Sequence, residues 1–105
     1  MHKVISTIFF CFLGLAISAQ GEIPTEVATL LNKNLCSACH KLNEKLVGPS
    51  YTELAQKGNS EKEIMALIYE PNAANWPGYP PMAPLPHLDK SEVKTIAKWI
   101  KSLEE

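Results

Sequence analysis

Apolar residues recur at helical spacing in four stretches of the chain. In "PTEVATLLNKNL", residues 24–35, Val27, Leu30, Leu31 and Leu35 fall on one face, the pattern of an amphipathic helix. Pro24 suits its first turn. "SYTELAQKG", residues 50–58, opens on Ser50 with Glu53 three positions later, a capping-box pattern, and Gly58 closes it. "SEKEIMALIYEP", residues 60–71, repeats the signal with Ser60 and Glu63. Its apolar stripe is Ile64, Leu67 and Ile68, and Pro71 stops it. "DKSEVKTIAKWIKSL", residues 89–103, is the strongest. Asp89 caps it, Glu92 completes the box, and Val93, Ile96, Ala97, Ile100 and Leu103 line one side. No stretch alternates as a strand does. The expected architecture is all-α, four short helices.

Two segments stand outside this pattern. Residues 4–17, "VISTIFFCFLGLAI", are almost wholly apolar, follow His2 and Lys3, and precede the small residues of "SAQG". That order is the one of a secretory signal, and 14 residues is short of the roughly 20 a membrane span needs. The expected division is a signal peptide over 1–19 and a domain over 20–105, with cleavage after Ala19 or, second, after Gly21. An uncleaved anchor is the competing reading. The second segment is "PNAANWPGYPPMAPLPHL", residues 71–88, which holds six of the eight prolines. So long a loop in so small a domain is usually functional or disordered. Trp76, Tyr79, Met82 and Leu85 argue against disorder. A stiff lid held against something apolar is the expectation.

Charge narrows the class. The full chain carries 10 basic and 11 acidic residues, with no arginine. Nucleic-acid binders normally show a basic excess, so that class is set aside. Size adds a constraint, because four short helices bury a marginal core and small domains often need a staple.

The staple is offered by "CSACH", residues 36–40. Cys36, Cys39 and His40 have the C-x-x-C-H spacing of c-type haem attachment. Two thiols so placed can add to the two vinyl groups on one porphyrin edge, and the histidine next to them can bind iron. Other uses fit less well. A thioredoxin-like pair belongs beside a βαβ pattern, which is missing here. Zinc needs four ligands, and beyond Cys36, Cys39 and His87 no further ligand motif is present. A disulfide across two residues closes too small a loop to stabilise much.

With these motifs in view, residues 24–103 resemble a small bacterial class I cytochrome c of the c-551/c-552 group. The resemblance rests on the helix entering "CSACH", "VGP" at 47–49, "PPM" at 80–82 and "IAKWI" at 96–100. It implies helices wrapped round one covalently bound haem c, with the first and last helices crossing. It also implies that Cys36 and Cys39 hold the haem, His40 is the proximal iron ligand, and the Pro49 carbonyl accepts a hydrogen bond from His40. Met82 would be the distal ligand, ahead of Met65 and His87. Trp76 would pack beside the haem and reach a propionate with its indole N–H, and Trp99 would be core. One departure is clear. Relatives often have an asparagine three residues after the ligand methionine, donating to its sulfur, and here that position is Leu85.

The function so implied is a periplasmic one-electron carrier, monomeric and without enzymatic activity. It would meet a terminal oxidase, peroxidase or reductase in transient encounters, with no nucleic acid and no lasting membrane insertion. A haem-based sensor or ligand-binding protein, and a dithiol redox protein, are the alternatives. Lys41 and Lys45 flank Glu44 just past the haem motif, and a solvated mixed-charge face is expected there.

Overall fold

The structure is a computed structural model and describes residues 22–105. The apolar run at 4–17 and both proposed cleavage points, after Ala19 and after Gly21, fall outside the described residues or at their edge. Among the described residues there are four α-helices and no strand: α1 (Thr25–Lys33), α2 (Tyr51–Gln56), α3 (Glu61–Tyr69) and α4 (Lys90–Ser102). Two single 3-10 turns, Cys36–Ala38 and Ala73–Asn75, interrupt the connections. No helix among the described residues is long and apolar enough to cross a membrane.

Local chemistry sets the helix starts. Ser50 and Ser60 each accept the backbone N–H three residues on, from Glu53 and Glu63, at 3.1 Å. Asp89 Oδ1 does the same for Glu92 N–H at 3.1 Å. Each cap satisfies one of the orphan donors that a helix N-terminus leaves. The return half of the capping box, from acidic side chain to cap N–H, is absent at Glu53 and Glu92. Tertiary partners take these carboxylates instead: Glu53 accepts the Tyr79 hydroxyl, and Glu92 pairs with Lys33 at 2.9 Å and Asn34 at 3.3 Å. The second helix closes at Gly58, whose φ of +74° suits a residue without Cβ.

The end of α1 differs from the periodic expectation. Asn34 caps it, and Leu35 turns into the left-handed region at φ 62°, leaving its side chain 74 % exposed. Leu35 is therefore no part of the apolar stripe. The positive φ costs on the order of 1 kcal/mol for a residue with a Cβ. It redirects the chain from the α1 axis into the 3-10 turn that carries the cysteines.

The core lies along α4, which packs against each of the other three helices. Leu31 of α1 and Val93 and Ala97 of α4 are fully buried, and Val27, Ile64, Ile96 and Ile100 are nearly so. Trp99 is core, edge-on to Tyr51 with ring centroids 5.0 Å apart. Truncating Leu31 to alanine should cost about 2–5 kcal/mol, the range for a buried leucine. Leu31, Ile64, Ile96 and Ile100 also face a cavity, so one side of the core ends on open space.

Candidate haem site

The 3-10 turn brings both thiols and the histidine onto one tight loop. Cys36 O accepts from Cys39 N–H at 3.1 Å and from His40 N–H at 3.0 Å. The following chain then folds back along this loop. Gly48 N–H donates to Cys39 O at 2.8 Å, Tyr51 N–H to Lys41 O at 2.9 Å, and Thr52 N–H to Leu42 O at 3.1 Å. That return path lays residues 48–50 against the imidazole. His40 Nδ1 sits 2.7 Å from Pro49 O. A carbonyl only accepts, so Nδ1 carries the proton and Nε2 of the neutral ring keeps its lone pair. Pro49 itself is buried.

Gly48 is needed for this approach. A Cβ there would stand 2.6 Å from His40 Cε1, closer than real contacts allow. The "VGP" stretch thus does two things for His40: glycine makes room for the ring and proline supplies the acceptor.

The cavity beside this loop has a volume of about 410 Å³, within the range of small-molecule and cofactor sites. Cys36, Cys39, His40 and Pro49 form one part of its wall. Met82, Pro80 and Pro81 lie in another, and the apolar residues of α1, α3 and α4 form its floor. The proline-rich loop is the expected lid: Trp76, Tyr79 and residues 80–83 all line the space. Trp76 is half-buried, and its indole N–H has no hydrogen-bond partner among the described residues. Lys57 Nζ lies 4.4 Å over the Trp76 ring.

Burial alters two groups in the wall. It pushes the Cys36 thiol up, so the free thiol is held neutral. Burial, and then the neighbouring Cys36, push the Tyr51 phenol far above its usual range. The Tyr51 hydroxyl is buried without a hydrogen-bond partner. An apolar cavity with two thiols and a pre-oriented imidazole at its edge fits a flat, apolar, covalently attached group. No group of three or more metal-ligating side chains of the His, Cys, Asp or Glu kind occurs among the described residues.

Of the residues expected from sequence to form the site, Cys36, Cys39, His40, Pro49, Trp76 and Met82 all line this one cavity. Met65 packs against the core instead. His87 is exposed and lines a second, more open cleft shared with Met82, Cys36 and His40. Lys41 pairs with Glu44 at 3.8 Å on the surface, and Lys45 lies 4.5 Å over the Tyr79 ring. Gly48 enters the sequence reading only as the middle of the "VGP" motif, and nothing there marks Tyr51 or Tyr69.

Comparison with known proteins agrees with this geometry. The family model described as Cytochrome c matches residues 25–104. Cytochrome c-551 of Allochromatium vinosum is 28 % identical over 95 residues, covering 85 % of this chain and all of that protein. Among solved structures, Nitrosomonas europaea cytochrome c552 superposes with a TM-score of 0.67 at 31 % identity, covering 73 % of this chain and 99 % of that one. The class 1 cytochrome MtoD of Sideroxydans lithotrophicus shares the fold, with a TM-score of 0.56 at 23 % identity. The chain therefore belongs to the cytochrome c family, with the class I fold, a covalently attached haem c as cofactor and electron carriage as its activity.

Proposed function

We propose that the protein is a periplasmic one-electron carrier of a respiratory chain, with His40 and Met82 as axial ligands of its haem iron. The observation that carries this reading is the 2.7 Å bond from His40 Nδ1 to Pro49 O, in the wall of an apolar cavity that Met82 also lines. Haem supplies one-electron exchange between ferric and ferrous iron.

The chain's residues do the rest. Cys36 and Cys39 would hold the haem through thioethers, each S–H adding across one vinyl group, so that neither thiol would remain free. Pro49 O holds the proton on His40 Nδ1, which keeps Nε2 free to bind metal and strengthens it as a donor. Met82 supplies a neutral thioether, which favours ferrous iron over a second nitrogen ligand and raises the potential. With His40 and Met82 both bound to it, the iron would be closed to small ligands. Trp76, in the cavity wall, would donate its indole N–H to a propionate. The apolar floor excludes water, so little has to reorganise when the electron moves.

Residues 1–19 are proposed as a cleaved signal, which delivers the chain to the periplasm and removes Cys11. The mature protein is proposed to be a monomer, with no enzymatic turnover of its own. It meets a terminal oxidase, peroxidase or reductase through small, short-lived contacts. Two measurements test the reading together. Haem must stay with the polypeptide after acid-organic extraction, and the purified periplasmic protein must begin at Gln20 or Glu22. Extractable haem would contradict attachment, and residues 1–19 retained in a membrane fraction would mean an uncleaved anchor in place of a cleaved signal.

A further inference from the structure

Residues 80–84 carry Met82, and three of the five are prolines without an N–H. No hydrogen bond ties this segment to the rest of the described protein. Its position is therefore set from its two ends, and a tyrosine stands at each. Upstream, the Tyr79 hydroxyl donates to Glu53 Oε2 of α2 at 3.2 Å. The Tyr79 ring is edge-on to Trp76 at 5.9 Å and lies under Lys45 Nζ at 4.5 Å. Downstream, Leu85 N–H donates to the carbonyl of Tyr69, the last residue of α3, at 3.1 Å. The Tyr69 hydroxyl donates to Leu88 O at 3.2 Å.

We infer that Tyr79 and Tyr69 are positioning residues for Met82, two clasps that fix the ends of its loop to α2 and α3 and so hold the sulfur on the iron. This rests on Met82 being the distal ligand. The position three residues after Met82 is Leu85, whose side chain has no donor for the sulfur. Its backbone N–H is already committed to Tyr69. The hold on Met82 must therefore come from the loop's anchorage. Three prolines make the segment stiff, so fixing both ends fixes its middle. Loosening either end lets the segment swing away as a unit.

The test is imidazole binding to the ferric holoprotein, since imidazole enters only when the thioether leaves. Tyr69→Phe and Tyr79→Phe each remove one hydroxyl and keep the ring. Each variant should bind imidazole about 2- to 10-fold more tightly than wild type, the worth of one hydrogen bond. The double variant should bind more tightly than either. Ser60→Ala is the control: it removes the cap at the far end of α3 and lowers overall stability, and its imidazole affinity should equal that of wild type. A double variant with wild-type imidazole affinity would overturn the clasp, as would an equal gain in Ser60→Ala. A reduced wild-type protein without a strongly upfield-shifted methionine methyl in its proton NMR spectrum would overturn Met82 ligation itself, and the clasp with it.

Discussion

His40 Nδ1 donates to the carbonyl oxygen of Pro49 at 2.7 Å, and the glycine before that proline leaves no space between backbone and ring. The bond and the close approach have one origin, the return of residues 48–52 along residues 39–42. A Cβ at position 48 would stand 2.6 Å from His40 Cε1 and 3.0 Å from Nδ1, the atom that Pro49 O holds, so the ring cannot give way without straining that bond.

Gly48→Ala should therefore displace the His40 ring and weaken its bond to Pro49. Overpacking of this kind costs about 1–3 kcal/mol. Chemical denaturation of the holoprotein should show a loss in that range. The midpoint potential should rise, because a less polarised imidazole donates less to ferric iron. An unchanged potential would mean that the Pro49 bond does not tune the ligand.

Thioether attachment predicts a mass. The mature holoprotein should weigh one haem more than the polypeptide from Gln20, or from Glu22, to the C-terminus, with no thiol open to alkylation. Cys36→Ala or Cys39→Ala should each lower holoprotein yield sharply, because one of two anchors is lost. Mass spectrometry of the intact and alkylated protein decides this.

Two methionines remain after the signal, and their environments differ. Met82 is in the cavity wall and Met65 packs against the core. Met82→Ala should abolish the upfield methyl resonance of the reduced protein and let carbon monoxide bind. Met65→Leu conserves volume, so it should cost less than about 1.5 kcal/mol and leave that resonance in place. The opposite pattern would move the ligand to α3.

Asp89 sets a pH dependence. The Ser91 hydroxyl, followed by the Glu92 N–H and more weakly Lys33, holds its carboxyl below the usual carboxylate value. A carboxylate lowered on folding contributes stability that is full above its unfolded pKa and is lost as pH falls through the folded one. Asp89→Asn should thus melt lower than wild type at neutral pH. The gap should close as the pH is taken from about 5 to below the folded value. Thermal melts of both proteins across that range test the sign, and a gap that widens in acid would contradict it.

Much of the fold was legible because its signals are local. Ser50, Ser60 and Asp89 cap helices through contacts only three residues away. The stripe on α4 needs only a period, and Val93, Ile96, Ala97 and Ile100 are all buried as that period requires. C-x-x-C-H is equally local, since one turn of chain presents both thiols and the imidazole. Tertiary structure decided what depends on distant segments meeting. Glu92 answers Lys33, 59 residues away, rather than its own helix cap. Glu53 is drawn to Tyr79, 26 residues on. Leu35 has the right spacing for the α1 stripe and still points to solvent, because the chain must turn there to present Cys36. Gly48 became a site residue only through the folded approach of its backbone to His40, and Tyr69 only through the carbonyl of Leu88. Caps and periods are satisfied within a few residues of chain, so residue order alone determines them. A contact between remote segments exists only once the whole chain has closed around its cavity.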